Sequence, residues 1–193
     1  MRRREFIRGI GAVGAAWSSR ASAQSRTVVG HLSSSSPDRQ SEMAFGRGLA
    51  EHGFVEGPDV VIQRAFAHGQ YDQLPRLLTD LERRGATIVF ASGNQAALAV
   101  KTANTNIPAV FAVGDDPVTL GLVSSFNRPT GTLTGISFYT VKLLAKRLEL
   151  LSPLVPKHAP IAMLANPPSP QHQQQILLFR KPAALLRPRA APF

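Results

Sequence analysis

Three short clusters carry the side chains best suited to holding a small polar molecule. Ser33-Ser34-Ser35-Ser36 sets four hydroxyls in a row. Ser92-Gly93-Asn94 combines a hydroxyl and an amide with a glycine that bares its neighbours' backbone N–H groups. Gly114-Asp115-Asp116-Pro117 places two carboxylates beside a proline. Short hydroxyls hydrogen-bond a polar solute, exposed N–H groups at a helix start hold a carboxylate, and a carboxylate receives an ammonium group. Each cluster taken singly is also ordinary helix-capping or turn chemistry. Together on one edge of a sheet they would describe a pocket, which none of them does alone.

Catalysis finds little footing. His31, Ser33 and Asp38 are local neighbours without the strained turn that presents a nucleophile. His52, His68, His158 and His172 show no metal-ligand spacing with a carboxylate partner. The neighbouring carboxylates Asp115 and Asp116 point in different directions, so they do not form an acid–base pair. Gly9-Ile10-Gly11-Ala12-Val13-Gly14 matches the dinucleotide pattern G-x-G-x-x-G, but that chemistry needs a strand in front of the glycines. Met1 to Arg8 is polar and cationic instead. The expectation is a protein that is not an enzyme, with no catalytic residue, no metal and no cofactor.

The elements that would position the three clusters follow from the apolar pattern. Thr27 to Leu32 reads as a buried strand, Arg39 to His52 as a helix with Met43, Phe45, Leu49 and Ala50 on its apolar side, and Val60-Val61-Ile62 as a second strand. Gly53 ends that helix and Glu56-Gly57-Pro58 makes the turn. Asp72 to Arg84 is a helix with Leu74, Leu77, Leu78 and Leu81 at helical spacing, capped by Gly85. Thr87 to Ala91 is a third strand, Gln95 to about Thr102 a helix, and Ala109 to Val113 a fourth strand. Beyond Pro117 the pattern predicts a short helix over Leu120 to Phe126, a strand over Leu133 to Phe138, a helix over Val141 to Leu151 and a last strand over Pro160 to Ala165. Continuous apolar strands separated by helices mean a parallel sheet covered on both faces. The fold class is therefore α/β, a doubly wound parallel sheet. In such a sheet ligands bind outside the carboxyl ends of the strands, where all three clusters fall.

The N-terminus reads as an export address. Arg3-Arg4-Glu5-Phe6-Ile7 sits in a positive segment, a moderately apolar stretch runs from Gly9 to Trp17, and Ala21-Ser22-Ala23 is a small-x-small cleavage site. Twin arginines in this place direct a folded protein to the bacterial twin-arginine export machinery. Cleavage near Ala23 would leave a chain starting at Gln24, in the periplasm. The absence of cysteine excludes disulfides and thiolate metal sites.

The formal net charge of +10 suggests nucleic acid until its location is considered. Residues 1–23 and residues 168–193 contribute +4 each, leaving +2 for the stretch between them. That body carries no basic stripe with interleaved aromatics, so no nucleic-acid partner is expected. Two rival readings stay open here: a secreted α/β enzyme, and a basic protein that binds nucleic acid or a membrane surface.

Several blocks resemble the substrate-binding proteins of bacterial ABC importers, the group related to tryptophan and aromatic amino acid binders. They are Gly69-Gln70-Tyr71-Asp72-Gln73-Leu74-Pro75-Arg76-Leu77, Gly114-Asp115-Asp116-Pro117-Val118, Leu120-Gly121-Leu122-Val123-Ser124, Asn127-Arg128-Pro129, Thr134-Gly135-Ile136-Ser137, and Ala145-Lys146-Arg147-Leu148-Glu149-Leu150-Leu151. The resemblance implies a type I periplasmic binding protein-like fold, in which two α/β lobes close on a solute and present it to an ABC permease in the inner membrane. It implies an amino acid-like small-molecule solute, with ligand contacts from Ser33, Ser34, Ser92, Gly93, Asn94, Asp115 and Asp116. The expected organisation is a signal peptide over 1–23, an N-terminal lobe over 24–130, a partial second lobe over 131–167, and a disordered or out-of-frame tail over 168–193. The tail is rich in Arg, Pro and Ala and holds no acid. Family members continue well past this point, so the sequence reads as truncated or frameshifted, and its binding activity as doubtful.

Overall fold

The structure is a computed structural model that describes residues 26–128, 131–156, 160–167, 169, 173, 175–177 and 179. The expected export address, residues 1–23, and most of the expected tail, residues 168–193, lie outside the described residues.

Five strands form one parallel sheet. In chain order they are β1 (Thr27–Ser33), β2 (Val60–Phe66), β3 (Ile88–Ser92), β4 (Ala109–Val113) and β5 (Leu133–Ser137). The helices are α1 (Arg39–Glu51), α2 (Leu74–Arg83), α3 (Asn94–Ala103) and α4 (Leu144–Leu151), with a 3-10 turn at Tyr71–Gln73 leading into α2. The strand order is β2-β1-β3-β4-β5, every neighbour parallel. The direction of winding reverses between β1 and β3, which opens a crevice at their carboxyl ends.

The two faces of the sheet are covered differently. On one face α2 and α3 bury Leu32, Ala65, Leu74, Leu78, Leu81, Val89, Ala91, Ala97, Val100 and Phe111 in a single apolar cluster. Each Leu or Phe buried there contributes about 1.5–3 kcal/mol from surface removed from water. Pro75 lies in the first turn of α2, where a missing N–H costs nothing. On the opposite face lies α1, whose Asp38 cap accepts a hydrogen bond from the Ser41 N–H at 2.9 Å. Helix α1 has no fully buried residue. Its expected apolar residue Met43 is half exposed, and only the Phe45 ring stacks on the sheet, 4.7 Å from the Phe90 ring. Over β4 and β5 that face leaves Val110 and Ile136 exposed.

Several expected elements shift. Strand β2 runs four residues past Ile62, because Gln63, Arg64, Ala65 and Phe66 alternate sides rather than forming an apolar run. Ser33 and Ser92 are the last residues of β1 and β3, not loop residues. The helix expected over Leu120 to Phe126 is a single turn, in which the Asp116 carbonyl accepts from the Leu120 N–H and the Pro117 carbonyl from the Leu122 N–H. It stops there because Gly121 takes φ +70°, a left-handed conformation that cannot continue a helix. Helix α4 starts at Leu144, not Val141. Pro160 to Ala165 pairs with no strand among the described residues, and Leu164 is fully exposed. An apolar run expresses only a fit to a half-buried pleated surface, and this one meets none here. Finally, Leu133–Ser137, assigned from sequence to the start of a second lobe, hydrogen-bonds to β4 and extends the first sheet.

Two glycine substitutions should have opposite signs. A Cβ on Gly135 would collide with the backbone carbonyl oxygen of Phe111 in the neighbouring strand. Gly135→Ala is expected to lower stability by about 1–3 kcal/mol. Gly48 lies inside α1 with open space around its Cβ position, so Gly48→Ala is expected to raise stability by about 0.5–1 kcal/mol. Urea unfolding of both variants checks the pair.

Candidate functional site

The three clusters come together at the carboxyl edge of the sheet through hydrogen bonds. Ser33 and Ser34 are buried at the end of β1. The Ser34 N–H donates to the Ser92 carbonyl at 3.1 Å, and the Ser34 hydroxyl reaches the same oxygen at 3.4 Å. This ties the end of β1 to the end of β3, across the winding reversal. The Ser33 hydroxyl accepts from the Ser35 N–H at 3.2 Å and shapes the turn into the serine loop. The loop is held on its other side by the Gly69 N–H, which donates to the Ser34 carbonyl at 3.0 Å.

Gly93 passes the chain from β3 into α3 with φ +95° and ψ 154°, a region only glycine occupies readily. A Cβ there would also collide with the Ser34 hydroxyl. The glycine is therefore required twice, by its backbone and by its neighbour. Its N–H donates to the Ala112 carbonyl at 2.9 Å.

Asn94, the first residue of α3, joins the second cluster to the third. Its Oδ1 accepts from the Gly114 N–H at 3.0 Å, and its Nδ2 donates to Asp115 Oδ2 at 2.8 Å. Burial pushes the Asp115 carboxyl above the usual carboxylate range, and the hydrogen bond from Asn94 only partly opposes that. A carboxylate whose charge is disfavoured by burial gains when a cation arrives beside it. The start of α3 supplies the complementary partial positive charge, because the first N–H groups of a helix have no acceptor within it.

The two neighbouring aspartates divide their roles. Asp116 Oδ1 accepts from the Val118 N–H at 2.9 Å and the Thr119 N–H at 3.3 Å, while its Oδ2 pairs with Lys142 Nζ at 2.6 Å. The bond from Lys142 holds its carboxyl below the usual range. Its lone pairs serve the turn after β4, so it shapes the site without offering a free oxygen. Of the seven residues singled out in the sequence, Ser33, Ser34, Ser92, Gly93, Asn94 and Asp115 form one hydrogen-bonded edge, and Asp116 braces it. His31, Ser33 and Asp38 do not come together. His31 lies beside Glu42, and Asp38 is engaged with Ser41.

Sequence reasoning missed the residues after β5. The Ser137 hydroxyl donates to the Asp115 carbonyl at 2.7 Å, and Thr140 donates to the Gly114 carbonyl from its N–H at 2.8 Å and its hydroxyl at 3.1 Å. Tyr139 between them adopts φ +51° and lies under the Lys142 ammonium group. The rule that pointed to the other clusters, polar residues following the end of a parallel strand, applies equally to Ser137-Phe138-Tyr139-Thr140.

Two substitutions separate the roles within this edge. Gly93→Ala is expected to cost about 1–3 kcal/mol from backbone conformation alone, read by urea unfolding. Asp115→Asn should act in the opposite direction. A carboxyl raised above its unfolded value makes the folded state hold its proton longer, so its ionisation weakens the fold as pH rises through that range. Removing the charge is expected to raise the thermal unfolding midpoint of the empty protein at neutral pH.

Comparison with known proteins gives the family. Residues 29–185 match the family model described as ABC transporter substrate binding protein. The tyrosine-binding protein of Clostridioides difficile strain R20291 is 26% identical over 127 residues, which are 66% of this chain and 36% of that protein. A crystal structure of an ABC domain in complex with L-Trp from Streptococcus pneumonia superposes with a TM-score of 0.67 at 23% identity, covering 83% of this chain and 54% of that one. A conserved domain protein from Vibrio cholerae gives 0.69 at 22% identity over the same shares of the two chains. The chain thus spans about a third of that curated relative and about half of the solved structures. The fold is type I periplasmic binding protein-like, and this chain belongs to the ABC transporter substrate binding protein family.

Proposed function

We propose that this chain is the solute-binding component of an ABC importer, and that its solute is an amino acid or a similar small zwitterion. The reading makes it a binding protein and not an enzyme. The observation that carries it is the Asn94 amide, which brings the partly buried Asp115 carboxylate to the start of α3. An amino acid has opposite charges a few bonds apart, and this edge offers the complement of both. In this reading Asp115 receives the ammonium group. The N–H groups at the start of α3 receive the carboxylate, aided by hydroxyls of Ser33, Ser34 and Ser92. Asp116 holds the turn that presents Asp115.

The printed names of two relatives, a tyrosine-binding protein and a domain in complex with L-Trp, support an amino acid as the solute class. Substrate-binding proteins of this family work outside the cytoplasm. The twin arginines of residues 3 and 4 and the small-x-small site ending at Ala23 support export by the twin-arginine machinery, with cleavage before the mature protein acts in the periplasm. There the loaded protein would deliver its solute to a permease in the inner membrane. The N-terminal lobe that begins at residue 24 would run on through β5 to Ser137, with the following chain starting a second one.

Thermal unfolding with and without a panel of amino acids tests the reading. A solute that binds only the folded state adds about 2.7 kcal/mol at about 100 times its Kd. The expected result is a transition raised by one class of amino acid in the parent chain and not in Asp115→Asn. A cooperative transition that no amino acid moves would overturn it.

A further inference from the structure

On the sheet face opposite α2 and α3, His31 stands in an unusual setting. It lies on β1, two residues before Ser33, and its ring is buried. Three phenylalanine rings enclose it: Phe45 from α1 at 5.4 Å, Phe66 from β2 at 5.6 Å and Phe90 from β3 at 5.0 Å between centroids. Its Nδ1 lies 2.9 Å from Glu42 Oε1 of α1, off the line of a good hydrogen bond, and its Nε2 has no partner among the described residues. The other oxygen of Glu42 accepts from Arg64 Nε of β2 at 2.7 Å, and the Arg64 guanidinium forks onto both oxygens of Glu56 at 2.7 and 2.9 Å. Glu42 and Arg64 are thus the charged groups that face the ring, from α1 and β2. Strand β3 faces it with Phe90 alone, and Glu56 joins through Arg64.

This cluster does for α1 what apolar packing does for α2 and α3. Helix α1 buries no residue fully, so its attachment rests on half-buried side chains, Phe45 and Leu49 among them, and on the polar chain from His31 through Glu42 to Arg64. The helix starts directly after the serine loop, at Arg39, with Asp38 as its cap. A change in how α1 sits on the sheet therefore acts on the serine loop from its far end, at Asp38, while Ser34 at the near end is tied to Ser92 and Gly69.

We propose that His31, Glu42 and Arg64 form a proton-sensitive clasp that holds α1, and with it the serine loop that follows β1, against the sheet. With a neutral ring α1 stays seated on the sheet. A protonated ring carries an N–H at Nε2 that needs an acceptor, and three phenylalanines supply none. The ring reaches water only if α1 lifts. Burial lowers the His31 pKa below its ordinary value, with Arg64 adding to that and Glu42 opposing it. The clasp is then complete above the ordinary histidine range, and it weakens as pH falls through that range toward the lowered folded value. The consequence for solute affinity rests on the solute-binding reading above: affinity falls on acidification.

Amide hydrogen exchange on the full chain, expressed as protection factors, tests the clasp. Protection in α1 is expected to fall by up to about tenfold between about pH 7.5 and about pH 5.5, while α2 stays protected. His31→Gln keeps a polar side chain that cannot titrate, and its α1 protection is expected to be flat over that interval. Loss of α1 and α2 together, no loss at all, or an acid-labile α1 in His31→Gln overturns the proposal. Should that variant not fold, NMR titration of the His31 ring in the parent chain replaces it, and a ring midpoint different from that of α1 opening overturns the proposal equally. The exchange readout needs no solute, so it stands or falls separately from the binding reading. A solute whose affinity stays constant while α1 opens would overturn the link between clasp and loop.

Discussion

The side chain of Asn94 holds the polar edge together. Its amide has a donor end and an acceptor end, and both are used across one gap, to the Asp115 carboxylate and from the Gly114 N–H. The start of α3 and the turn after β4 thereby become one rigid unit. A hydrogen bond to a charged group contributes about 1.5–3 kcal/mol, more than a neutral pair, so the carboxylate is held more firmly than a turn alone would hold it. Everything else at the edge depends on that unit. Gly93 sets the path into it, the Ser34–Ser92 pair joins β1 to it, and Ser137 and Thr140 lock it from β5.

The sheet carries this edge on two unlike faces. One is packed by α2 and α3 around leucines, alanines and Phe111, and it gives the strands their fixed spacing. The other holds α1 through a phenylalanine stack and a chain of charges. Apolar packing is indifferent to pH and ionic strength at this level, whereas charged contacts are not. The element next to the serine loop is thus the one whose attachment responds to solution conditions. Segments that open locally are drawn from such weakly packed parts of a fold. Of the helices flanking the sheet, α1 next to the serine loop has the lighter attachment.

The fold was legible in most of its parts because its signal is local. Leucines at helical spacing in α2 and continuous apolar runs in β1, β3 and β4 report burial directly. Two of the failures were equally local in cause. Gly121 interrupts an apolar stretch that otherwise resembles a helix, and Arg64 and Gln63 hide the second half of β2 among polar letters. Pro160 to Ala165 has the composition of a strand, but a strand needs a neighbour, and composition does not name one. The placement of β5 beside β4 was missed for the same reason, since pairing depends on which edges remain open when the chain arrives.

The residue types at the site were determined by the sequence alone: hydroxyls, a glycine, an amide and carboxylates, each following a parallel strand. So were the strand–helix alternation and the blocks that carry the family resemblance. Only the tertiary structure decided what each of the two adjacent aspartates meets. Lys142 and two backbone N–H groups occupy Asp116, whereas Asn94 reaches Asp115 from a helix 21 positions earlier in the chain. It likewise decided that His31 belongs with Glu42 and Arg64, not with Ser33 and Asp38. Alternate side chains of a strand point to opposite faces, and their partners come from whichever element packs there. Spacing along the chain fixes the face a residue takes, and contact across the fold fixes what it meets.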